Sequence, residues 1–262
     1  MPAEPLFFRM IVPGWPQRYA GRTIRARGMF WGYVALLLMG LLSIGTTAGL
    51  IFFGLAVAVH VASITEIVAS NVFDLGRRFA YAIVTVTVLL AVVYYPVYWL
   101  IGQVASPQQF LLASPPFAAG DVVLVNPSAY RWSDPQPGDV VSFELPQRDI
   151  QTAGGGRYGT LYRLQGVRVD RILARAGQQV TSDRGNLLID GQPSPWLPLN
   201  PHQVPDEVHI TIPDGSYLII PSGGLIQFPL PVWQVACIVP RELIHGRVYL
   251  QCQPLRQFGR IR

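Results

Sequence analysis

Pro137-Gly138-Asp139-Val140-Val141-Ser142-Phe143 sets a turn signal directly against a run of β-branched and aromatic residues, and this pairing decides the fold of the C-terminal part. Upstream, Gly120-Asp121-Val122-Val123-Leu124-Val125 has the same form. Downstream the pattern continues with Gly166 to Leu173, Leu187-Leu188-Ile189, His209-Ile210-Thr211-Ile212 and Tyr217-Leu218-Ile219-Ile220. Short runs of this kind, separated by turn residues, predict a sheet or barrel. Most of the Gly 25 and Pro 23 fall in the same region, as many tight connections require. Residues 150–162, with Gly154-Gly155-Gly156, and the Pro-rich stretches 192–205 and 226–232 read as exposed loops.

The first hundred residues read differently. From Met29 to Thr65 no side chain is formally charged. As one helix this run would be about 55 Å long, well beyond a hydrocarbon core of about 30 Å. Cutting it near Ser43–Thr47 gives two helices, about 29–44 and 48–68, and a third apolar span runs from Phe79 to about Ile101. The chain therefore divides into a basic N-terminal segment at 1–28, a membrane domain at 29–102 and a β-rich domain at 103–262. No cleaved signal peptide is expected, because the first apolar run begins late and further spans follow.

Charge orients this arrangement. Arg18, Arg22, Arg25 and Arg27 precede the first span, and Arg77 and Arg78 precede the third. The positive-inside rule then puts the N-terminus in the cytoplasm and the domain after three spans outside. Phe30, Trp31 and Tyr33 read as one interfacial belt and Tyr94, Tyr95, Tyr98 and Trp99 as the other. The net charge of +5 resides beside the membrane: residues 1–102 hold seven Arg against three acids, whereas 103–262 hold thirteen against twelve. That distribution excludes a nucleic-acid partner for the β domain. His60 and Glu66, the ionisable groups of the second span, read as structural, Glu66 near the cytoplasmic end and a neutral His60 bonded to a helix neighbour or a carbonyl. Pro13-Gly14-Trp15-Pro16-Gln17-Arg18-Tyr19-Ala20-Gly21-Arg22 resembles the Pro-Gly-x-x-Gln-x-Tyr-x-Gly opening of some small bacterial membrane domains, and by itself reads as a cationic, turn-rich segment on the bilayer surface. The only cysteines, Cys237 and Cys252, could form a disulfide outside the cytoplasm.

The order of motifs in the β domain resembles the type I signal peptidase family, membrane-bound serine proteases that remove signal peptides from exported proteins. Gly120 to Val125 resembles the strand after that family's nucleophile segment, and Pro137 to Phe143 its Arg-Gly-Asp-Ile-Val-x-Phe box. Val169-Asp170-Arg171-Ile172, followed by Ala176-Gly177-Gln178, resembles Ile-Lys-Arg-Val leading to Pro-Gly-Asp. Asn186 to Gly191, Ile212 to Tyr217 and Val239 to Val248 resemble the later motifs in order. The resemblance implies a mainly-β signal-peptidase-like domain behind transmembrane helices, and a bacterial inner-membrane location. It implies no cofactor or metal.

The family's chemistry is a Ser nucleophile activated by a neutral Lys. All twenty basic residues here are Arg, and Asp170 stands at the position matching the Lys, followed by Arg171. Arg cannot act as the base at any physiological pH, and an Asp beside an Arg is held ionised, a weak base. His202, His209 and His245 all lie elsewhere in the domain. The family's Pro-Ser-x-Ser-Met-x-Pro-Thr-Leu is replaced by Phe110-Leu-Leu-Ala-Ser114-Pro-Pro-Phe117, whose only hydroxyl is Ser114. Pro221-Ser222-Gly223-Gly224 replaces the Gly-Asp-Asn box, and Gln227 to Trp233 replaces the Asp-Ser-Arg element. A Cys237 and His245 pair has no spacing argument for contact. Catalytic residues are therefore expected to be absent, with Ser114 and Asp170 the weak candidates.

Three functions follow from these residues. The retained sheet could bind signal peptides or exported precursors along a strand edge without catalysis. Ser114, with Asp170 or a distant His, could still cleave precursors. The apolar segment Phe228 to Trp233 could meet an active signal peptidase or another membrane complex.

Overall fold

The computed structural model describes residues 11–71, 74–110, 116–145, 148–152, 160–183, 186–196, 207–221, 229–259 and 261. The chain forms two compact units, Met1–Gly102 and Gln103–Arg262.

In the first unit a short helix α1 (Trp15–Tyr19) leads into α2 (Thr23–Leu42), α3 (Thr47–Asn71) and α4 (Leu75–Leu89), then a π-helical turn (Leu90–Tyr94) and α5 (Tyr95–Val104). Three helical stretches, Thr23–Leu42, Thr47–Glu66 and Gly76–Val104, are long and apolar enough to cross a membrane. The hairpin break lies at residues 43–46, where Thr46 Oγ1 donates to the Ser43 carbonyl at 2.7 Å and accepts from Gly49 N. Asp74 caps α4 through Gly76 N at 2.8 Å. The π turn ends two residues before Pro96, a residue with no N–H to give and a ring that crowds the preceding turn, so the helix widens there instead of breaking.

Side-chain bonds tie this unit together at two levels. Gln17 has no exposed surface; its Nε2 donates to Ser63 O at 2.6 Å and to Glu66 Oε2 at 3.2 Å, and its Oε1 accepts from Ser63 Oγ at 2.8 Å. Ser63 Oγ also accepts from Gly14 N at 2.8 Å. Glu66 Oε1 completes the set with Arg22 and Arg25, each at 2.7 Å. The N-terminal segment is thus docked on α3, a contact that its Pro, Gly, Trp and Arg content did not signal: Gln17 supplies both a donor and an acceptor to a helix face. At the second level, His60 Nδ1 lies 2.7 Å from Tyr94 Oη, and Tyr94 Oη donates to Tyr33 Oη at 3.5 Å. Tyr33 and Tyr94 therefore share one depth and do not mark opposite interfaces. Tertiary hydrogen bonding to His60 outweighs the interfacial preference of tyrosine here.

The second unit is mainly β. Strands β1 (Ser106–Gln109), β2 (Val122–Asn126), β3 (Val140–Glu144), β6 (Val167–Arg175), β11 (Ser216–Ile219), β12 (Ile238–Pro240) and β13 (Ile244–Gln253) form a sheet ordered β1-β2-β13-β3-β6-β11-β12. β7 (Gln179–Asp183), β8 (Asn186–Ile189), β9 (Gln192–Pro193) and β10 (Glu207–Thr211) form a second sheet, and β4 (Arg148–Thr152) pairs with β5 (Thr160–Leu164). The expected loop at 150–162 is thus in part a hairpin, with 153–159 outside the described residues. Of the stretch 226–232, residues 226–228 lie outside the described residues, and the rest is corrected: α6 (Leu230–Cys237) begins there, with Val232 and Trp233 buried among Leu173, Leu218 and Ile220. Apolar side chains at helical spacing outweigh the prolines, which sit before the helix and in its first turn where no N–H is needed. Cys237 and Cys252 are both buried free thiols, and the possible disulfide is not formed. Cys237 packs in the cluster of Leu173, Leu218, Ile220 and Trp233, whereas Cys252 sits on β13 between Gln251 and Gln253, which pair with β2.

Candidate functional site

Two turn-plus-strand boxes frame the site, and their aspartates hold it together. Asp121 is buried; its Oδ2 accepts from Ala118 N at 2.9 Å and Gln251 Nε2 at 3.2 Å, which binds the turn before β2 to β13. Asp139 accepts from Tyr130 Oη at 3.0 Å and Gln136 N at 3.2 Å and pairs with Arg247 at 3.0 Å. Burial, reinforced by the Asp139 carboxylate, pushes the Tyr130 phenol far up, so it stays a donor. Gly138 is required where it stands: its φ is +97°, and a Cβ there would lie 2.6 Å from the Trp196 ring. The Arg171 guanidinium stacks over the same ring at 5.8 Å.

Asp170 lies on β6 opposite Val141 of β3, with no exposed surface. Its Oδ1 accepts from Arg171 N at 2.8 Å. Its carboxylate also acts on Cys237 at the end of α6: burial first, and Asp170 second, push that thiol well above its ordinary range. Cys237 is therefore a protonated core thiol, unsuited to nucleophilic attack. His245, its imagined partner, is exposed on β13 and lies 3.8 Å from Glu144. His209 is exposed on β10, opposite Thr181 in the other sheet. His202 lies outside the described residues.

Ser114 also lies outside the described residues, as do 222–228 where the Gly-Asp-Asn box would be matched. The residues bracketing Ser114 are placed. Phe110 and Phe117 stack at 4.7 Å with ring planes 9° apart, and Phe110 exchanges backbone bonds with the turn at Gly120 and Asp121. Both rings pack with Val140 and Val169. Val169 and Asp170 are adjacent on one strand, so their side chains leave opposite faces. The sheet thus brings the brackets of Ser114 to one face of β6 and carries the Asp170 carboxylate on the other, where Val141, Phe143 and Ile172 cluster. The sequence pattern held this division in its alternation, but the partners Trp196 and Cys237 are distant in the chain and carried no signal.

Two backbone edges lie near this site. β1 ends the large sheet, and Gln108 on it accepts from Ser142 Oγ of β3 at 2.7 Å although two strands separate them in the sheet order, so the sheet curls. Along Val167–Val169, β6 pairs with β3 alone among the described strands, and its pairing with β11 begins only at Ile172. The described residues include no cluster of His, Cys, Asp and Glu that could hold a metal ion.

Comparison with known proteins agrees with this architecture. The chain is 26% identical over 148 residues to the "Probable signal peptidase I-1" of Synechocystis sp., an alignment covering 56% of this chain and 69% of that protein. A family model described as signal peptidase, peptidase S26, matches residues 77–220, from the start of the third span through β11 and so across both boxes and Asp170. With more than half its length matched, and with spanning helices followed by the mainly-β domain that the motifs predicted, the chain belongs to the peptidase S26 signal peptidase family.

Proposed function

We propose that this protein is a non-catalytic member of its family, which holds signal peptides or exported precursors along a strand edge of the β domain without cutting them. The observation that carries the reading is Asp170: the residue at the position of the family's lysine base is a carboxylate with no exposed surface, in a chain without any Lys. A base must take the proton of an attacking hydroxyl and pass it on to the leaving amine, which requires access to the reacting groups. The packing of Phe110 and Phe117 on the face of β6 opposite to Asp170 supports the same conclusion. Backbone pairing needs neither Ser nor Lys, and the edges of β1 and of Val167–Val169 supply groups for an added strand. The bilayer is the second partner, through the three spans. A cytoplasmic N-terminus, an extracytoplasmic β domain and a bacterial inner membrane complete the proposal, on the charge distribution and the family.

The test uses the full chain in nanodiscs and a fluorescently labelled signal-sequence peptide. The expected result is tighter binding than to a scrambled peptide, with the peptide recovered intact. Equal binding to both peptides removes the peptide-holding role. Cleavage that Ser114→Ala abolishes removes the non-catalytic one.

A further inference from the structure

A cavity of about 390 Å³ opens between the N-terminal segment and the foot of the first span, lined among others by Trp15, Arg18, Thr23, Arg27 and Phe30. Its walls are fixed. Gly14 holds φ +84° with its N–H bonded to Ser63, and a Cβ at that position would strike Ala26 O of α2 at 2.3 Å, so the turn lies directly against the helix. Arg18, Arg22, Arg25 and Arg27 cluster at the foot of this span, and the structure divides them. Arg22 and Arg25 are committed to Glu66. Arg18 and Arg27 face the cavity and form no ion pair among the described residues. Two guanidiniums on one concave surface, without an acidic partner among the described residues, call for an anion, and guanidinium suits phosphate oxygens in particular. The rest of the lining points to the source of that phosphate. Trp15 and Phe30 are 41% and 37% exposed, and the cavity sits on the first two turns of a helix whose outer surface also leaves Leu38, Met39, Leu41 and Leu42 open. A headgroup bound there would leave its acyl chains beside apolar helix surface, whereas a free phosphate ion would face two aromatic rings at no gain.

We propose that this cavity is a site for the phosphate of an anionic membrane lipid, held by Arg18 and Arg27 and flanked by Trp15 and Phe30. The site is independent of peptide binding in the β domain. It docks the N-terminal segment to one leaflet as well as to α3.

The experiment is native mass spectrometry of the delipidated full chain in detergent, titrated with phosphatidylglycerol or phosphatidylcholine. The parent protein should retain one phosphatidylglycerol in preference to phosphatidylcholine. In Arg18→Gln/Arg27→Gln the affinity should fall roughly fivefold for each arginine removed. Arg77→Gln/Arg78→Gln, with the same charge loss at the third span, should leave it unchanged, and Arg18→Lys/Arg27→Lys should keep most of it. An equal loss in both glutamine pairs, or equal retention of the two lipids, overturns the proposal. So does full displacement of phosphatidylglycerol by millimolar inorganic phosphate, which would make the free ion the occupant. Unchanged melting temperatures of the variants at Arg18 and Arg27, whose side chains are exposed, separate loss of the site from loss of the fold.

Discussion

A carboxylate sealed inside a sheet acts through the groups that bond it, and Asp170 lies there with no exposed surface beside the amide of Arg171. Truncation to alanine leaves those donors unmet, so Asp170→Ala should lower stability by roughly 1–3 kcal/mol, read as a reduced unfolding midpoint in detergent. Asp170→Lys, which writes the family's base back into place, should also destabilise and should confer no proteolysis. The two cysteines give a pH-dependent expectation. Burial raises the Cys252 thiol, and burial together with Asp170 raises that of Cys237, so the reactive thiolate is scarce at pH 8 and increases only as pH climbs towards the raised values. Folded protein should resist iodoacetamide at pH 8 and take up two equivalents in denaturant. Rapid modification of the native state would contradict the buried, unbridged arrangement.

At the scale of elements, the N-terminal turn and α3 depend on each other. Gly14→Ala places a methyl against the Ala26 carbonyl at a positive φ, whereas at Gly21, also at positive φ, nothing lies within 4 Å. Gly14→Ala should therefore expose the N-terminal segment to protease, and Gly21→Ala should cost only the backbone preference, about 1–2 kcal/mol. Tyr94→Phe removes the hydroxyl that joins His60 to Tyr33 and should cost about 1 kcal/mol in thermal stability, with the spans intact. These elements also show what a sequence can carry. The strands at Val122, Val140, Val167 and Ser216 were legible because alternation and flanking turns are local signals. β13, the ten-residue strand that pairs with both β2 and β3, was legible only as a run of motif residues, since its partners lie over a hundred positions away. Tyr94 was misread for a related reason: its ring fits a membrane interface, and only the tertiary partners His60 and Tyr33 reveal otherwise, just as the bonds of Gln17 to Ser63 and Glu66 carried no local signal.

For the molecule as a whole, a membrane unit of three spans and a β unit of the S26 signal peptidase family are joined in one chain. Fold and family were legible because several boxes occur in order. The candidate site was legible only as a substitution: the printed residues show Asp170 where the family has Lys, but not that its carboxylate is enclosed or that α6 ends beside it. Retention of this fold without its chemistry is tested by processing of a purified signal-peptide-bearing precursor by the full chain in proteoliposomes, followed by mass spectrometry. The precursor should stay intact with the parent and with Ser114→Ala alike; a precursor trimmed at its signal-peptide junction by the parent and left whole by Ser114→Ala would show that the chemistry is present.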